Sequence, residues 1–216
     1  MQEKGAVTFL DVLGWKGIWE RNSDAIARLQ DLICKINEKA KEISDEYTRS
    51  VTEFRGKDNI IKVLSISDTI AFFTEGSVKN AIEIHAKLCA WTIAYAFEQE
   101  LPLRGAISYG SYSISDNIML GYAVDEAASW HESTDWIGVI LTPSAQINLR
   151  NNKPEYVIEY KNIPFKKKIN TLNLCVNWSF EDEDEFIKII NEKGPHIPEI
   201  APKYLNTLEF LEYNKR

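Results

Sequence analysis

Ala6–Val12 (AVTFLDV) is a short apolar run rich in strand formers and closed by Gly14. It predicts a strand. Beyond it, Ile26, Leu29, Ile33, Ile36, Ala40 and Ile43 recur at steps of three and four. That spacing predicts an amphipathic helix, with Ser23 placed as its N-cap. Gly56-Lys57-Asp58-Asn59 marks a turn. Ile60–Ile66 and Thr69–Thr74 then predict two strands separated only by Ser67-Asp68, a tight hairpin with an acidic residue at its tip. A second helix is expected from Ser77 to about Glu100. It is apolar on more than one side (Ile82, Leu88, Trp91, Ile93, Tyr95, Phe97) and should be well buried. Pro102 ends it. Leu103–Tyr109 predicts a strand, Gly121–Glu132 a shorter helix and Trp136–Leu141 another strand. Tyr156–Tyr160 and Ile169–Trp178 predict strands around the basic turn Lys166-Lys167-Lys168. The acidic run Glu181–Glu185 starts a helix through Asn191, where carboxylates suit the N-terminal dipole. Pro195 and Pro198 break the chain, and Tyr204–Tyr213 is a last helix. Such an order requires helices on one face of a largely antiparallel sheet, a ferredoxin-like α+β plan.

Composition narrows the class. The 216 residues include 25 Lys and Arg against 32 Asp and Glu, a formal charge of −7. Such a chain is ill suited to nucleic-acid backbones, which need clustered cations. No apolar run is long enough to span a membrane. The Met-Gln-Glu-Lys-Gly start lacks a signal-peptide layout. Cys34, Cys89 and Cys175 are odd in number and far apart, the pattern of reduced thiols in a cytoplasmic protein. His85, His131 and His196 show no metal-ligand spacing. His85 reads as a core histidine, and nothing in the pattern gives His131 a role. The length predicts one domain over residues 1–216, with a core of about 5–178 and a helical extension of about 179–216.

Two carboxylates stand out. Asp11 ends the first strand and Asp68 tips the hairpin, both flanked by apolar residues. Unpaired burial of a carboxylate is expensive. In a ferredoxin-like sheet the two elements are neighbours, so the carboxylates converge and call for a cation between them. Hard oxygen ligands with a substrate phosphate suit Mg²⁺ or Mn²⁺. The same residues also fit plainer roles, Asp11 as a helix cap and Asp68 as a turn residue.

The segments FLDVLGWKG (9–17), VLSISDTIAFF (63–73), LRGAISYG (103–110) and GYAVDEAASW (121–130) resemble the class III nucleotidyl cyclase catalytic domain, in that family's order and spacing, and IPFKKK (163–168) extends the match. The resemblance is strongest to the compact bacterial Pycsar pyrimidine cyclases, antiphage enzymes that make cyclic UMP or cyclic CMP. It implies that Asp11 and Asp68, with the Val12 backbone, hold two Mn²⁺ or Mg²⁺ ions. It also implies that Val12, Leu13, Gly14 and Trp15 cradle the β- and γ-phosphates. Further implications are a nucleoside triphosphate substrate, a homodimer with active sites at its interface, and a separate effector protein that reads the cyclic nucleotide.

Several positions depart from the purine cyclases. The transition-state Asn and Arg fall on Asp125 and Ser129, and the two adenine readers fall on Leu64 and Ile118. Apolar residues there leave the polar edge of adenine unpartnered, which argues against an adenylate cyclase and fits a smaller base. Arg104 is the candidate replacement for the missing arginine, or else a structural ion pair. Lys166 is the candidate triphosphate lysine, or else part of a solvated turn. Asp125 is placed to meet the nucleotide or simply to start its helix. Phe54, Arg55 and Tyr47 precede the hairpin and are candidates for a base pocket. Trp15, Trp91 and Trp130 also read as packing or interface residues. A guanylate or mixed-specificity cyclase, and an inactive nucleotide-binding module, are the competing readings.

Overall fold

The last eight of the ten residues of β1 (Glu3–Val12) are buried without a break. A strand covered on both faces reads as a continuous apolar run rather than as an alternation. In the computed structural model, which describes residues 2–15, 23–116, 118–150, 152–169, 171–180, 183–193 and 201–215, β1 lies inside the sheet. Lys16 and Gly17 of the first motif, Glu181, Pro195, His196 and Pro198 lie outside the described residues.

The elements that follow are α1 (Ala25–Ser50), a single 3₁₀ turn (Thr52–Phe54), β2 (Lys62–Ile66), β3 (Thr69–Glu75), α2 (Val78–Glu98), β4 (Leu103–Ser115) and β5 (Ile118–Leu120). Then come α3 (Tyr122–Trp130), β6 (Gly138–Leu141), α4 (Pro143–Leu149), β7 (Val157–Glu159), β8 (Leu174–Val176), α5 (Glu183–Lys193) and α6 (Ala201–Asn214). The sheet runs β2-β3-β1-β4-β6-β8-β7, with β5 paired to β4. Among the described residues only β4 and β6 pair in parallel. The α+β class and the largely antiparallel sheet are as expected.

Helices occupy both faces, which corrects the one-face expectation. Ala6, Leu10 and Val12 of β1 join the main core with α1 and α2, whereas Val7 and Phe9 join Ala71, Phe73 and the α3 residues Ala123, Val124 and Ala127 in a second cluster. The cause is visible in the sequence. β1 and β3 are apolar at odd and even positions alike, so each face needs a cover. Ser108 ties the second layer down, its hydroxyl donating to the Ala123 carbonyl at 2.6 Å. Phe186, Phe210 and Leu211 of the C-terminal helices also enter the main core.

Other corrections are local. Asp24, not Ser23, is the residue before α1, and Ile26 is 64% exposed because the buried stripe runs through Ala25, Leu29, Leu32 and Ile36. Ser77 precedes α2, but the capping carboxylate comes from Glu53. Glu53 accepts from the Ser77 amide (2.6 Å), the Ser77 hydroxyl (2.7 Å) and Asn80 Nδ2 (2.6 Å). Burial would raise the Glu53 pKa, but the hydrogen bonds from Asn80 and Ser77 outweigh it and hold the carboxyl below its usual value. β8 spans three residues of the ten expected. No helix among the described residues is long and apolar enough to cross a membrane.

Candidate active site

Asp11 sits near the C-terminal end of β1 on the parity of Val7 and Phe9, and so on the α3 side of the sheet. Its cross-strand partner in β4 is Arg104. The two are 8% and 7% exposed. Arg104 Nε and Nη2 both donate to Asp11 Oδ2, at 3.2 and 3.0 Å. Nη1 reaches the Thr134 carbonyl at 3.4 Å, and Nη2 lies 3.6 Å from Glu132 Oε2. Gly105 lets β4 close on β1 here, since a Cβ would stand 2.3 Å from the Phe9 carbonyl oxygen.

Asp68 is half-buried at the β2–β3 tip, and Ser67 turns the chain with φ 57°. The Asp68 carbonyl accepts from the Val12 amide at 3.3 Å, which docks the tip on the end of β1. Burial is the main reason that the Asp11 pKa is raised. Arg104 opposes the rise, and the negative charges of Glu132 and Asp68 add to it. So the hairpin tip that carries Asp68 lies on the β3 side of Asp11, and Arg104, itself in contact with Glu132, lies on the β4 side.

One set of residues at this end went unrecognised in the sequence. His131 follows α3, and its Nδ1 lies 2.6 Å from the Ala128 carbonyl oxygen. Its Nε2 is 3.8 Å from Glu132 Oε1. Asp11, His131 and Glu132 each bring one potential ligand atom, and all lie within 4.8 Å of one another. A lone His-Glu dipeptide carries no signal by itself, because its partner comes from the other end of the chain.

No protein-family model matches this chain, and no curated protein is similar to it. Solved structures are. The catalytic core of a rhodopsin-guanylyl cyclase with converted specificity, in complex with ATPalphaS, aligns over 82% of this chain and 97% of its own, with TM-score 0.56 and 12% identity. The chain shares the fold of that cyclase core. Two further cyclases align at lower scores. An adenylate/guanylate cyclase/hydrolase from Silicibacter pomeroyi covers 82% of this chain and 95% of its own, with TM-score 0.47 and 16% identity. Adenylate cyclases from Trypanosoma brucei in their monomeric state cover 80% and 88%, with TM-score 0.48 and 11% identity.

Within this cyclase fold the other predicted residues divide. Lys166 comes to the Arg104 end. Its amide donates to the Ser133 carbonyl at 2.9 Å, and its side chain is held below the usual lysine pKa by burial and then by the charge of Arg104. Gly14 has φ 80° with open space where a Cβ would stand, and Trp15 packs partly buried against the main core. Val12 and Leu13 do not offer free amides, a correction to the expected cradle. The Asp68 and Pro102 carbonyls take them at 3.3 and 2.8 Å. Asp125 is exposed in the first turn of α3. Phe54 and Arg55 do not reach the site. Phe54 is fully buried beneath Gly76, at the end of β3 where Glu75 pairs with Gly5. That is about 20 Å from Asp11 at roughly 3.3 Å per residue. Arg55 is exposed beside it. Tyr47 is buried, its hydroxyl donating to Glu83 at 3.0 Å. Aromatic residues ahead of the hairpin have gone to the core.

Proposed function

We propose that this chain is a nucleotidyl cyclase that converts a pyrimidine nucleoside triphosphate, UTP or CTP, to its 3′,5′-cyclic mononucleotide and pyrophosphate. The observation that carries the reading is Asp11 at one end of a cyclase fold, with the Asp68 tip docked beside it through the Val12 amide and with Arg104 and Lys166 at the same end. Asp11, Asp68 and the Val12 backbone would hold divalent cations, Mn²⁺ or Mg²⁺, and their oxygen donors fit such ions. A bound metal pair stabilises charge on the phosphates and acidifies the ribose 3′-hydroxyl. Arg104 and Lys166 add positive charge where pyrophosphate departs. Gly14 gives the phosphates close approach to backbone. In the reaction the 3′-oxygen bonds to the α-phosphorus, the bond to the β-phosphate oxygen breaks, and the hydroxyl proton passes to solvent.

The pyrimidine assignment rests on Leu64 and Ile118, apolar where the related purine enzymes place polar base readers. A buried purine edge left unpaired costs about 1–3 kcal/mol per group. A second copy of the chain would complete the site, covering Ile66, Ile118, Leu120 and Tyr122, which are 51%, 69%, 58% and 82% exposed. On this reading the product is a cytoplasmic second messenger in antiphage defence, read by a separate effector protein.

Turnover with each of the four ribonucleoside triphosphates and Mn²⁺ tests the reading. UTP or CTP should give cyclic product, and Asp68→Ala should remove it by at least about a hundredfold with folding intact. Product from GTP alone overturns the pyrimidine assignment. A second reading, a non-catalytic nucleotide-binding module, draws on the engagement of Asp11 by Arg104. Tight binding of metal–triphosphate without pyrophosphate release would select it.

A further inference from the structure

His131 carries its hydrogen on Nδ1, because the 2.6 Å partner of that nitrogen is the Ala128 carbonyl oxygen, which only accepts. In the neutral ring the Nε2 lone pair is then bare. A backbone carbonyl fixing one ring nitrogen while the other faces a ligand is the arrangement by which proteins orient metal-binding histidines. Nε2 faces Glu132 Oε1 at 3.8 Å, beyond hydrogen-bonding reach. The gap suits an ion about 2.1 Å from each atom.

Asp11 completes the set, with its donor within 4.8 Å of the other two. Both contacts from Arg104 go to Oδ2, so Oδ1 stands outside that pair. Charge also favours a cation. Two carboxylates, those of Asp11 and Glu132, face the single guanidinium of Arg104. His131 sits by the second core cluster, its ring 6.0 Å from that of Phe9, so the nitrogen is positioned before any ion arrives.

We infer that Asp11, His131 and Glu132 form a binding site for a divalent transition ion, where the end of α3 meets the end of β1. An imidazole ligand makes Mn²⁺, Co²⁺ or Zn²⁺ the fitting class, whereas Mg²⁺ demands oxygen ligands. The inference shares Asp11 with the proposed function, but needs no turnover. It also gives the site a preference for transition ions that two aspartates alone do not supply.

Pulsed electron paramagnetic resonance of Mn²⁺ on the full chain, without nucleotide, tests it. Bound Mn²⁺ should show ¹⁴N modulation from His131, and excess Mg²⁺ should leave it in place. His131→Ala should abolish the modulation and weaken Mn²⁺ by at least the roughly tenfold that outer-shell partners alone command. Glu132→Gln, at a 58% exposed side chain, should weaken Mn²⁺ yet keep the modulation. Mn²⁺ bound without nitrogen modulation, modulation that survives His131→Ala, or no Mn²⁺ binding overturns the site. Turnover is read separately. Modulated Mn²⁺ with no cyclic product from any triphosphate leaves this site standing and removes the cyclase reading, and product with unmodulated Mn²⁺ does the reverse.

Discussion

Asp11 and Arg104 lie 93 residues apart in the chain, yet Nη2 and Oδ2 meet at 3.0 Å with little of either residue exposed. Each charge depends on the other, because taking a carboxylate out of water without a partner is costly. Arg104→Met should therefore lower unfolding stability by about 3 kcal/mol, and Asp11→Asn in the same background should restore part of it. Urea unfolding of the two single variants and the double measures this. A loss below about 1 kcal/mol for Arg104→Met would mean that water screens the pair, as on an exposed surface. Asp11 was legible because apolar neighbours surround it, and Arg104 because it occupies a strand end. Of the alternatives left open for Arg104, the structure shows the ion pair, and its part in the reaction belongs to the proposed function.

At the scale of elements, the periodicities of β1, α1, the β2–β3 hairpin and α2 led to the right structures. What failed had a weak local pattern. β5 has three residues, and α4 has seven, signalled only by Thr142 ahead of Pro143. The docking of α2 on β1 carries a pH dependence. His85 of α2 is fully buried, with Nδ1 2.7 Å from Thr8 Oγ1 of β1 and Nε2 unpartnered among the described residues. Burial pushes its pKa down from 6.5 to about 3. Between those values the unfolded chain takes up a proton that the folded chain refuses, so stability rises with pH across this window and is lost as pH falls. The slope should be about 1.4 kcal/mol per pH unit. Urea unfolding at pH 7, 6 and 5, set against His85→Leu, isolates the contribution. Parallel curves for the two proteins would rule it out.

The whole molecule places its exposed apolar residues unevenly. Ile66, Ile118, Leu120 and Tyr122 belong to the hairpin tip, the β5 arm and the start of α3. Exposed apolar side chains grouped on the β5 arm and the start of α3 suit an interaction site. If a second copy covers it, Ile118→Asp should shift sedimentation from dimer to monomer and reduce cyclic-product formation together. Turnover undiminished in a strictly monomeric protein would refute the shared site. The amino-acid order alone determined the long elements, because hydrophobic period is a local property. It also picked out the two carboxylates, because an ionised group among apolar neighbours is conspicuous wherever the chain runs. Only the tertiary structure decided that helices cover both faces of the sheet, that Phe54 belongs to the core, and that His131 and Glu132 stand beside Asp11. Those outcomes depend on which strands pair and in what register, and long-range pairing brings together residues that no local spacing relates.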